Sequence, residues 1–315
     1  MKSKKKIIII LICVFCILAL SVGVSIVVYQ RNKSNIKFTI HDNLEDGNGE
    51  KVRVVLLAGQ SNASGCSRTD YLESNVSETK FDEYQNGYAN IYINFYDDQN
   101  VSNGFVNAKT NQGFIYGHFG PELGMAEKLH ELYPDEKIFI IKFAIGGTNL
   151  YSEWLSPSSD GPTGYLYTNF IRFTKQSLNY LKSKNYTPVV EAMCWMQGES
   201  DSFSTKNATN YETNLANLIA DTRHDLSKYA SKDGIAFVDA YIANIPNYWV
   251  YCDLVNNSKK LVAESSDMNV VIDTNAYGLT TNKEPTDNPD MAHYDSLSQI
   301  KLGNLFAEEA SKFFD

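Results

Sequence analysis

The sequence predicts an α/β fold in which helices cover both faces of a parallel β-sheet. Short apolar runs rich in β-branched residues alternate with helical patterns along most of the chain, an order typical of parallel sheets. The first run, residues 53–58, does not alternate apolar with polar residues. It therefore favours a strand that is buried on both faces.

The remaining strands and helices follow from the same patterns. A helix is predicted from Gly120-Pro121-Glu122, because proline suits the first helical turn and glutamate suits the positive end of the helix dipole. Further strands are expected at residues 91–95, 137–144, 188–196, 235–241 and 270–273. Helices are expected at residues 120–133, 169–184, 211–229 and 296–314.

The N-terminal segment differs from the rest of the chain in hydropathy. Residues 7–28 form an apolar run of 22 residues without a charge, and a helix of about 33 Å is long enough for a bilayer core of about 30 Å. The four lysines within residues 1–6 predict a cytoplasmic tip, a membrane anchor over 7–28 and an extracytoplasmic remainder. A cleaved signal peptide followed by secretion is the alternative. Residues 29–50 are polar and predict a tether to a domain at 51–315.

The charge of this domain argues against nucleic acid as a partner. Residues 1–34 hold six of the 28 basic residues and none of the 37 acidic ones, so the remainder has 22 basic against 37 acidic groups, a formal charge of −15. Cys66, Cys194 and Cys252 form no disulfide framework and lack the spacing of metal ligands, although one bridge is open.

Four polar motifs lie where predicted strands end or where the last helix begins. They are Gly59-Gln60-Ser61-Asn62, Gly146-Gly147-Thr148-Asn149, the segment WMQGESD at 195–201, and Asp290-Met291-Ala292-His293. Because the carboxyl ends of parallel strands lie at one edge of a sheet, these motifs can converge there. Taken singly, the first two also suit ordinary turns.

Ser61 and His293 suit a nucleophile and its base. A serine hydroxyl needs a base within hydrogen-bond reach, and the base needs an orienting partner. Among the five histidines, only His293 follows a carboxylate by three residues in a loop that enters a helix. Asp290 can accept its Nδ1 proton and leave Nε2 facing Ser61, although the pair equally suits a helix-entry cap.

An acyl-transfer site also needs hydrogen-bond donors where the oxyanion develops. The candidates are the backbone N–H of Ser61, a backbone N–H of Gly146 or Gly147, and the side-chain amide of Gln197. The two glycines also suit a plain turn. Alternatively, Gln197 forms hydrogen bonds with buried backbone groups of the surrounding loops.

Together these motifs resemble the SGNH-hydrolase superfamily, and within it the carbohydrate esterases of the sialate O-acetylesterase and acetylxylan esterase type. The resemblance runs from about residue 52 to the C-terminus and implies a three-layer α/β/α sandwich on a flavodoxin-like parallel sheet of about five strands. It rests on GQSN at 59–62, GPE at 120–122, GGT at 146–148, WMQGESD at 195–201 and DMAH at 290–293.

The resemblance also implies roles for single residues. Ser61 would be the nucleophile, His293 the base and Asp290 its partner. Gly147 would donate to the oxyanion beside Ser61, and Gln197 would take the role that an asparagine has in the wider superfamily. No metal or organic cofactor is expected. The residues expected to brace the site or contact substrate are Gln60, Asn62, Gly146, Glu199 and Trp154.

Two further segments are candidates for substrate binding. Residues 67–116 form a long, polar stretch between the nucleophile and the GPE motif, which is interpreted as an insertion that shapes the binding site. In the loop 149–167, Tyr151 and Trp154 follow the GGT turn. Their rings suit either stacking on a sugar or ordinary loop packing.

The sequence therefore predicts a membrane-anchored, extracytoplasmic serine esterase that removes O-acetyl groups from a carbohydrate through a Ser-His-Asp acyl-enzyme mechanism. One alternative is an esterase or lipase for non-carbohydrate esters. Another is a non-catalytic, carbohydrate-binding surface protein of the same fold. The identity of the sugar and the oligomeric state do not follow from the sequence.

Overall fold

A seven-stranded, mostly parallel β-sheet forms the centre of the molecule. The computed structural model describes residues 36–314. Their strands are β1 (Lys51–Gly59), β2 (Ser67–Arg68), β3 (Ile91–Tyr96), β4 (Val106–Asn107), β5 (His118–Phe119), β6 (Ile138–Ala144), β7 (Thr187–Met196), β8 (Ala236–Ala240) and β9 (Asn269–Ile272). The main sheet has the order β4-β3-β6-β1-β7-β8-β9, and β4 pairs antiparallel with β3. Strands β2 and β5 form a separate antiparallel pair.

Helices cover both faces of this sheet. They are α1 (Ser61–Ser64), α2 (Thr69–Asn75), α3 (Glu78–Asn86), α4 (Pro121–Leu132), α5 (Tyr165–Ser183), α6 (Thr205–Asp225), α7 (Cys252–Glu264) and α8 (Ser296–Ser311). Helix α4 packs against α8, α6 packs against α7, and α5 packs on β6 and β7. Every residue of β6 and the last six of β1 are buried, as continuous apolar runs predict for parallel strands between helices.

Five of the strands keep the order that the resemblance implies. Counted along the chain, β6, β1, β7, β8 and β9 lie in the 2-1-3-4-5 order of flavodoxin-like sheets. Strands β3 and β4 extend the sheet beyond β6, and both belong to segment 67–116. That segment therefore enlarges the expected sheet of about five strands to seven, and it adds α2 and α3.

The predicted strands and helices are confirmed with small shifts at most ends. The largest shift is in the helix predicted at 211–229, which begins at Thr205 because the Ser204 side chain accepts a hydrogen bond from Asn207 N and caps the first turn. Helix α7 escapes prediction because polar residues at 256–258 interrupt its apolar pattern.

The N-terminal predictions have different outcomes. The membrane anchor predicted at 7–28 lies outside the described residues, and within residues 36–314 no helix is long and apolar enough to cross a bilayer. The predicted tether is wrong where the structure describes its last part. Leu44 is buried, its N–H donates to Tyr180 Oη at 3.1 Å, and Gly47 N donates to Lys184 O at 2.6 Å. The Phe38 ring also packs against those of Tyr96 and Phe173, so residues from about 38 onward belong to the folded domain.

Candidate active site

A cleft of about 530 Å³ opens at the carboxyl edge of the sheet. Its walls come from the segments that follow β1, β3, β6, β7 and β8, together with the loop that precedes α8. Open α/β sheets bind their ligands at this edge. The predicted site residues that line the cleft are Gln60, Ser61, Gly146, Gly147 and His293.

Ser61 is presented on a sharp turn that requires glycine. Strand β1 ends at Gly59, whose φ is +145°. A Cβ at that position would lie 1.9 Å from the carbonyl oxygen of Met196 in β7. Ser61 then begins the short helix α1, so its backbone N–H is among the donors that a first helical turn leaves unpaired. The hydroxyl and an available N–H therefore lie together at the cleft.

The Asp290–His293 pair approaches the cleft from the loop before α8. Nδ1 of His293 lies 2.6 Å from Oδ2 of Asp290, and Oδ1 of Asp290 accepts from Ala292 N at 2.9 Å. Burial favours the neutral imidazole, but the contacts with Asp290 and the Cys66 sulfur outweigh it and raise the pKa of His293 to about 10. The hydrogen bond from His293 in turn lowers the pKa of Asp290. The pair is not a helix-entry cap, since Asp295 occupies that position of α8.

Asn62 ties the nucleophile turn to the histidine loop. Its buried side chain accepts a hydrogen bond from Tyr294 N at 3.0 Å and donates one to the carbonyl oxygen of Ala292 at 3.2 Å. These two residues flank His293. The Asn62 amide also donates to Oε1 of Glu199 at 2.7 Å. One side chain thus positions the loop that holds the histidine against the turn that holds the serine.

The turn after β6 supplies backbone donors beside Ser61. A Cβ on Gly146 would lie 3.5 Å from the Cβ of Ser61, so the turn runs directly against the nucleophile. Gly147 has a φ of +70°, which glycine adopts without strain. Neither glycine N–H donates a hydrogen bond to another of the described residues. Gly146 comes into contact range of Ser61, whereas the resemblance favours Gly147 as the donor.

The structure contradicts the implied oxyanion role of Gln197. Its side chain is fully buried. The amide nitrogen lies 3.0 Å from the carbonyl oxygen of Thr148, 2.6 Å from Oδ2 of Asp201 and 3.1 Å from Oε1 of Gln60. An amide nitrogen has two hydrogens, and these internal acceptors use both. The alternative interpretation holds, because Gln197 satisfies buried groups of the surrounding loops.

Gln60, Glu199 and Asp201 complete this buried network. Oε1 of Gln60 also accepts from two backbone N–H groups in the turn after β7. Asp201 accepts from Leu150 N at 2.8 Å and from Tyr151 N at 3.1 Å, and so fixes the loop that follows the two glycines. Burial raises the pKa of Asp201 to about 6 and also raises the pKa of Glu199. The sequence gives Asp201 no separate role, since the backbone groups that donate to it lie about 50 residues away.

Trp154 is a core residue, so of the two roles that the sequence leaves open for it, the structure favours packing over contact with substrate. Its side chain is fully buried and stands edge-on to Trp195, with ring centroids 5.1 Å apart. Its Nε1 donates to Oγ1 of Thr148 at 3.0 Å. Trp154 therefore supports the GGT turn from behind. Tyr151 is half-buried, lies under the ammonium group of Lys206 and does not line the cleft.

Lys142 supports the nucleophile turn from below, a role that the motifs do not indicate. It is buried in β6, and its Nζ donates to the carbonyl oxygen of Ser64 at 2.6 Å, to that of Gln112 at 2.9 Å and to Oε2 of Glu122 at 2.8 Å. Burial raises the pKa of Glu122. The available signal is a lone lysine within the apolar strand IFIIKFA. An ammonium group there needs buried acceptors.

The outer walls of the cleft also come from residues that no motif contains. The segment 67–116 contributes Asp97, Asp98, Gln99 and Phe114, and the segments after β7 and β8 contribute Phe203, Tyr248 and Trp249. Within residues 36–314, no group of three or more His, Cys, Asp and Glu side chains is arranged to hold a metal ion. Cys66, Cys194 and Cys252 are free thiols.

Comparison with known proteins gives one family and several similar structures. Residues 51–312 match the family described as carbohydrate esterase, sialic acid-specific acetylesterase. No curated protein sequence matches significantly. A structure from Arabidopsis thaliana has a TM-score of 0.60 at 21% identity, covering 83% of this chain and 99% of that one.

Two further structures extend the comparison. NanS has a TM-score of 0.61 at 15% identity and covers 86% of this chain and 99% of its own. A carbohydrate acetylesterase from Xanthomonas citri has a TM-score of 0.54 at 13% identity, over 84% of this chain and 56% of that one. At these identities the structural matches establish a common α/β fold with a mostly parallel sheet.

Proposed function

Because the chain belongs to the carbohydrate esterase family of sialic acid-specific acetylesterases, we propose that it removes O-acetyl groups from a carbohydrate by serine acyl transfer. One observation carries the mechanism: Ser61 and His293 line one cleft, and His293 is hydrogen-bonded to Asp290 behind it. Serine, imidazole and carboxylate in this arrangement are the parts that acyl transfer needs.

In the first half-reaction, Ser61 Oγ attacks the ester carbonyl while Nε2 of His293 takes its proton. Asp290 accepts a hydrogen bond from Nδ1–H and so keeps the imidazole in the tautomer that can act as a base. The oxyanion accepts hydrogen bonds from the backbone N–H of Ser61 and from a backbone N–H of the Gly146-Gly147 turn. The sugar leaves as an alcohol with the proton from the imidazole, and the acetyl group stays on the serine.

In the second half-reaction, water replaces the sugar. The same imidazole takes a proton from water, which attacks the acetyl-serine; the imidazolium then returns the proton to Ser61 Oγ as acetate is released. Gln197 does not donate a hydrogen bond to the oxyanion in either half-reaction. Its role is to hold Thr148, and so the glycine turn, at a fixed place relative to Gln60.

The first test compares acetate release by the full chain with release by Ser61→Ala. The substrates are acetylated xylan, O-acetylated sialic acid and an aryl acetate. Removing the nucleophile is expected to lower kcat by about 10³-fold or more. Ser74→Ala, which changes an exposed serine of α2, serves as the matched control with unchanged turnover.

Each outcome has a defined meaning. Wild-type rates for Ser61→Ala on the aryl acetate contradict the assigned nucleophile. Serine-dependent release from the aryl acetate alone supports the mechanism but favours a non-carbohydrate ester. Release from one acetylated sugar, abolished by Ser61→Ala, supports both the mechanism and the class of substrate.

A further inference from the structure

The cleft around Ser61 is bordered by two surfaces of different chemistry. Both adjoin the nucleophile, and neither takes part in the proposed chemical steps. The first, the aromatic wall, consists of Phe203, Tyr248 and Trp249. The second, the acidic edge, consists of Asp97, Asp98 and Gln99.

The aromatic wall offers ring surface to a ligand. Phe203 follows β7 and is 59% exposed, and Tyr248 follows β8 and is 44% exposed. Their ring centroids lie 5.1 Å and 4.6 Å, respectively, from that of Trp249. Clustered exposed apolar surface marks binding sites. The wall fits a pyranose, which presents a face of C–H groups on which an aromatic ring can pack.

Trp249 adds a polar requirement to the same wall. Its side chain is 6% exposed, and its Nε1 is buried without a hydrogen-bond partner among residues 36–314. An indole N–H is a donor only, and native proteins rarely leave a buried donor unpaired. Because Trp249 borders the cleft, a hydroxyl oxygen of a bound sugar can supply the missing acceptor.

The charged groups that line the cleft are Asp97 and Asp98 of the acidic edge, together with His293. No lysine or arginine of the described chain lines it. Asp97 is buried and accepts from Ser64 Oγ at 2.5 Å, and burial raises its pKa. Asp98 is exposed. The positive charge of protonated His293 is balanced by Asp290, so the cleft as a whole is acidic.

Neighbouring cations are already engaged. Lys142 lies beneath the cleft and is bonded to Glu122, and Arg68 lies in an adjoining pocket and pairs with Asp70. A carboxylate on a ligand would therefore meet like charge in a partly desolvated site, where repulsion is stronger than in bulk water. A hydroxyl would instead donate a charge-assisted hydrogen bond to the acidic edge.

We propose that this cleft selects uncharged O-acetylated sugars over sugars that carry a carboxylate, an inference that rests on the proposed esterase function. The aromatic wall packs on the sugar ring, Trp249 donates to one ring hydroxyl, and Asp98 accepts from another. Sialic acid, which the family description names, carries a carboxylate and belongs to the disfavoured class.

The test uses two substrates that differ in one group. Methyl 2-O-acetyl-glucoside and methyl 2-O-acetyl-glucuronide present the same ring and ester, but the second carries a carboxylate at C6. The full chain is expected to hydrolyse the neutral sugar with a kcat/KM at least about tenfold higher, and added salt is expected to narrow the ratio. Ethyl acetate, which has no ring, is assayed beside them.

Three variants and one control test which residues contribute to this selectivity and to sugar binding. Asp98→Asn is expected to lower the ratio of kcat/KM for the neutral sugar to kcat/KM for the glucuronide by about 2- to 5-fold. The control Asp82→Asn, which removes an exposed charge from α3, leaves this ratio unchanged. Phe203→Ala and Trp249→Phe are expected to raise KM for the neutral sugar by about 5-fold with little change in kcat. A merely structural role would lower turnover of ethyl acetate equally.

The outcomes separate this inference from the proposed function. Equal or faster hydrolysis of the glucuronide overturns the selectivity and leaves the esterase function intact. An unchanged ratio in Asp98→Asn removes the acidic edge as its cause, and so overturns the inference too. Ser61-dependent hydrolysis of ethyl acetate without hydrolysis of either sugar overturns both the carbohydrate function and the inference.

Discussion

The two halves of the active site are held in place by different means. The nucleophile half, formed by the turns after β1, β6 and β7, is buried, and side chains such as Gln197 and Asp201 bond to several groups each. The base half lies in the segment 273–295 between β9 and α8, and the Asp290 side chain there is 49% exposed. Desolvated, bonded groups hold fixed dipoles for an oxyanion. A group near water can exchange protons.

The largest expected effect is a loss of stability when the buried Lys142–Glu122 ion pair beneath the nucleophile half is broken. Lys142→Met leaves the Glu122 carboxyl buried without its partner, which is expected to lower the free energy of unfolding by about 3–5 kcal/mol. Urea denaturation measures the change. Lys128→Met, which removes an ion pair with exposed Glu131, is the control and should cost about 1 kcal/mol or less. Equal losses in the two variants would show that the buried pair has no special role.

The next effect separates the two halves. Asn62→Ala removes the bonds on both sides of His293 and is expected to lower kcat about 10²-fold with little change in KM, because the base is misplaced. Steady-state acetate release gives both constants. Asn210→Ala, on the exposed face of α6, is the control. A normal kcat in Asn62→Ala would mean that other contacts position the histidine loop.

A third variant asks what Gln197 contributes. Gln197→Met keeps the side-chain volume but removes the amide, and is expected to cost about 2 kcal/mol of stability while kcat falls less than about tenfold. Thermal unfolding and single-turnover kinetics measure the two effects. An oxyanion donor would show the opposite pattern, a loss of about 10²- to 10³-fold in kcat at unchanged stability.

The last variant concerns protonation in the base half. Since His293 keeps its proton up to a pKa of about 10, wild-type kcat/KM is expected to rise with pH over the alkaline range. Asp290→Asn removes the partner that raises this pKa, so the rising limb moves to lower pH. The maximal rate is expected to fall about 10²-fold or more, because the imidazole loses the carboxylate that keeps it in the tautomer that can act as a base. The pH–rate profile of acetate release measures both changes.

The same pair makes stability depend on pH. The pKa of His293 is raised in the folded state, so the stabilisation is fully present below its unfolded pKa of about 6.5. This stabilisation is lost as pH rises through about 10.

Cys66 also contributes to the raised pKa of His293. Cys66→Ala is therefore expected to shift the rising limb of the pH–rate profile to lower pH, but less than Asp290→Asn does. A limb at the same pH in both variants and in the wild type would contradict this account of the base half.

Local patterns predict much of the fold because the relevant interactions are local or periodic. Residues 53–58 and 137–144 predict strands since burial on both faces requires continuous apolar sequence. The candidate nucleophile and base are predictable for a chemical reason: Ser61 and the Asp290–His293 spacing are what acyl transfer requires. Helix α7 is not predictable in this way, because its apolar face is interrupted by polar residues.

The side-chain roles that fail prediction depend on distant partners. Trp154 follows a glycine turn, where sequence allows stacking on a sugar or packing in the core, and contact with Trp195 selects the core. The amide of Gln197 has acceptors in three separate loops. Once those acceptors are close, the cost of leaving them unpaired decides how the amide is used.

The sequence by itself determined which residue types follow each strand. Because the carboxyl ends of parallel strands share one edge of the sheet, it also determined that a serine, a glycine turn and an Asp–His pair reach that edge. Only the tertiary structure decided which of these groups face the cleft. It also decided that the aromatic wall and the acidic edge, from segments more than 100 residues apart, border the same nucleophile. The physical reason is that strand patterns are set by neighbouring residues, whereas exposure and hydrogen-bond pairing are set by the loops that sheet pairing brings together.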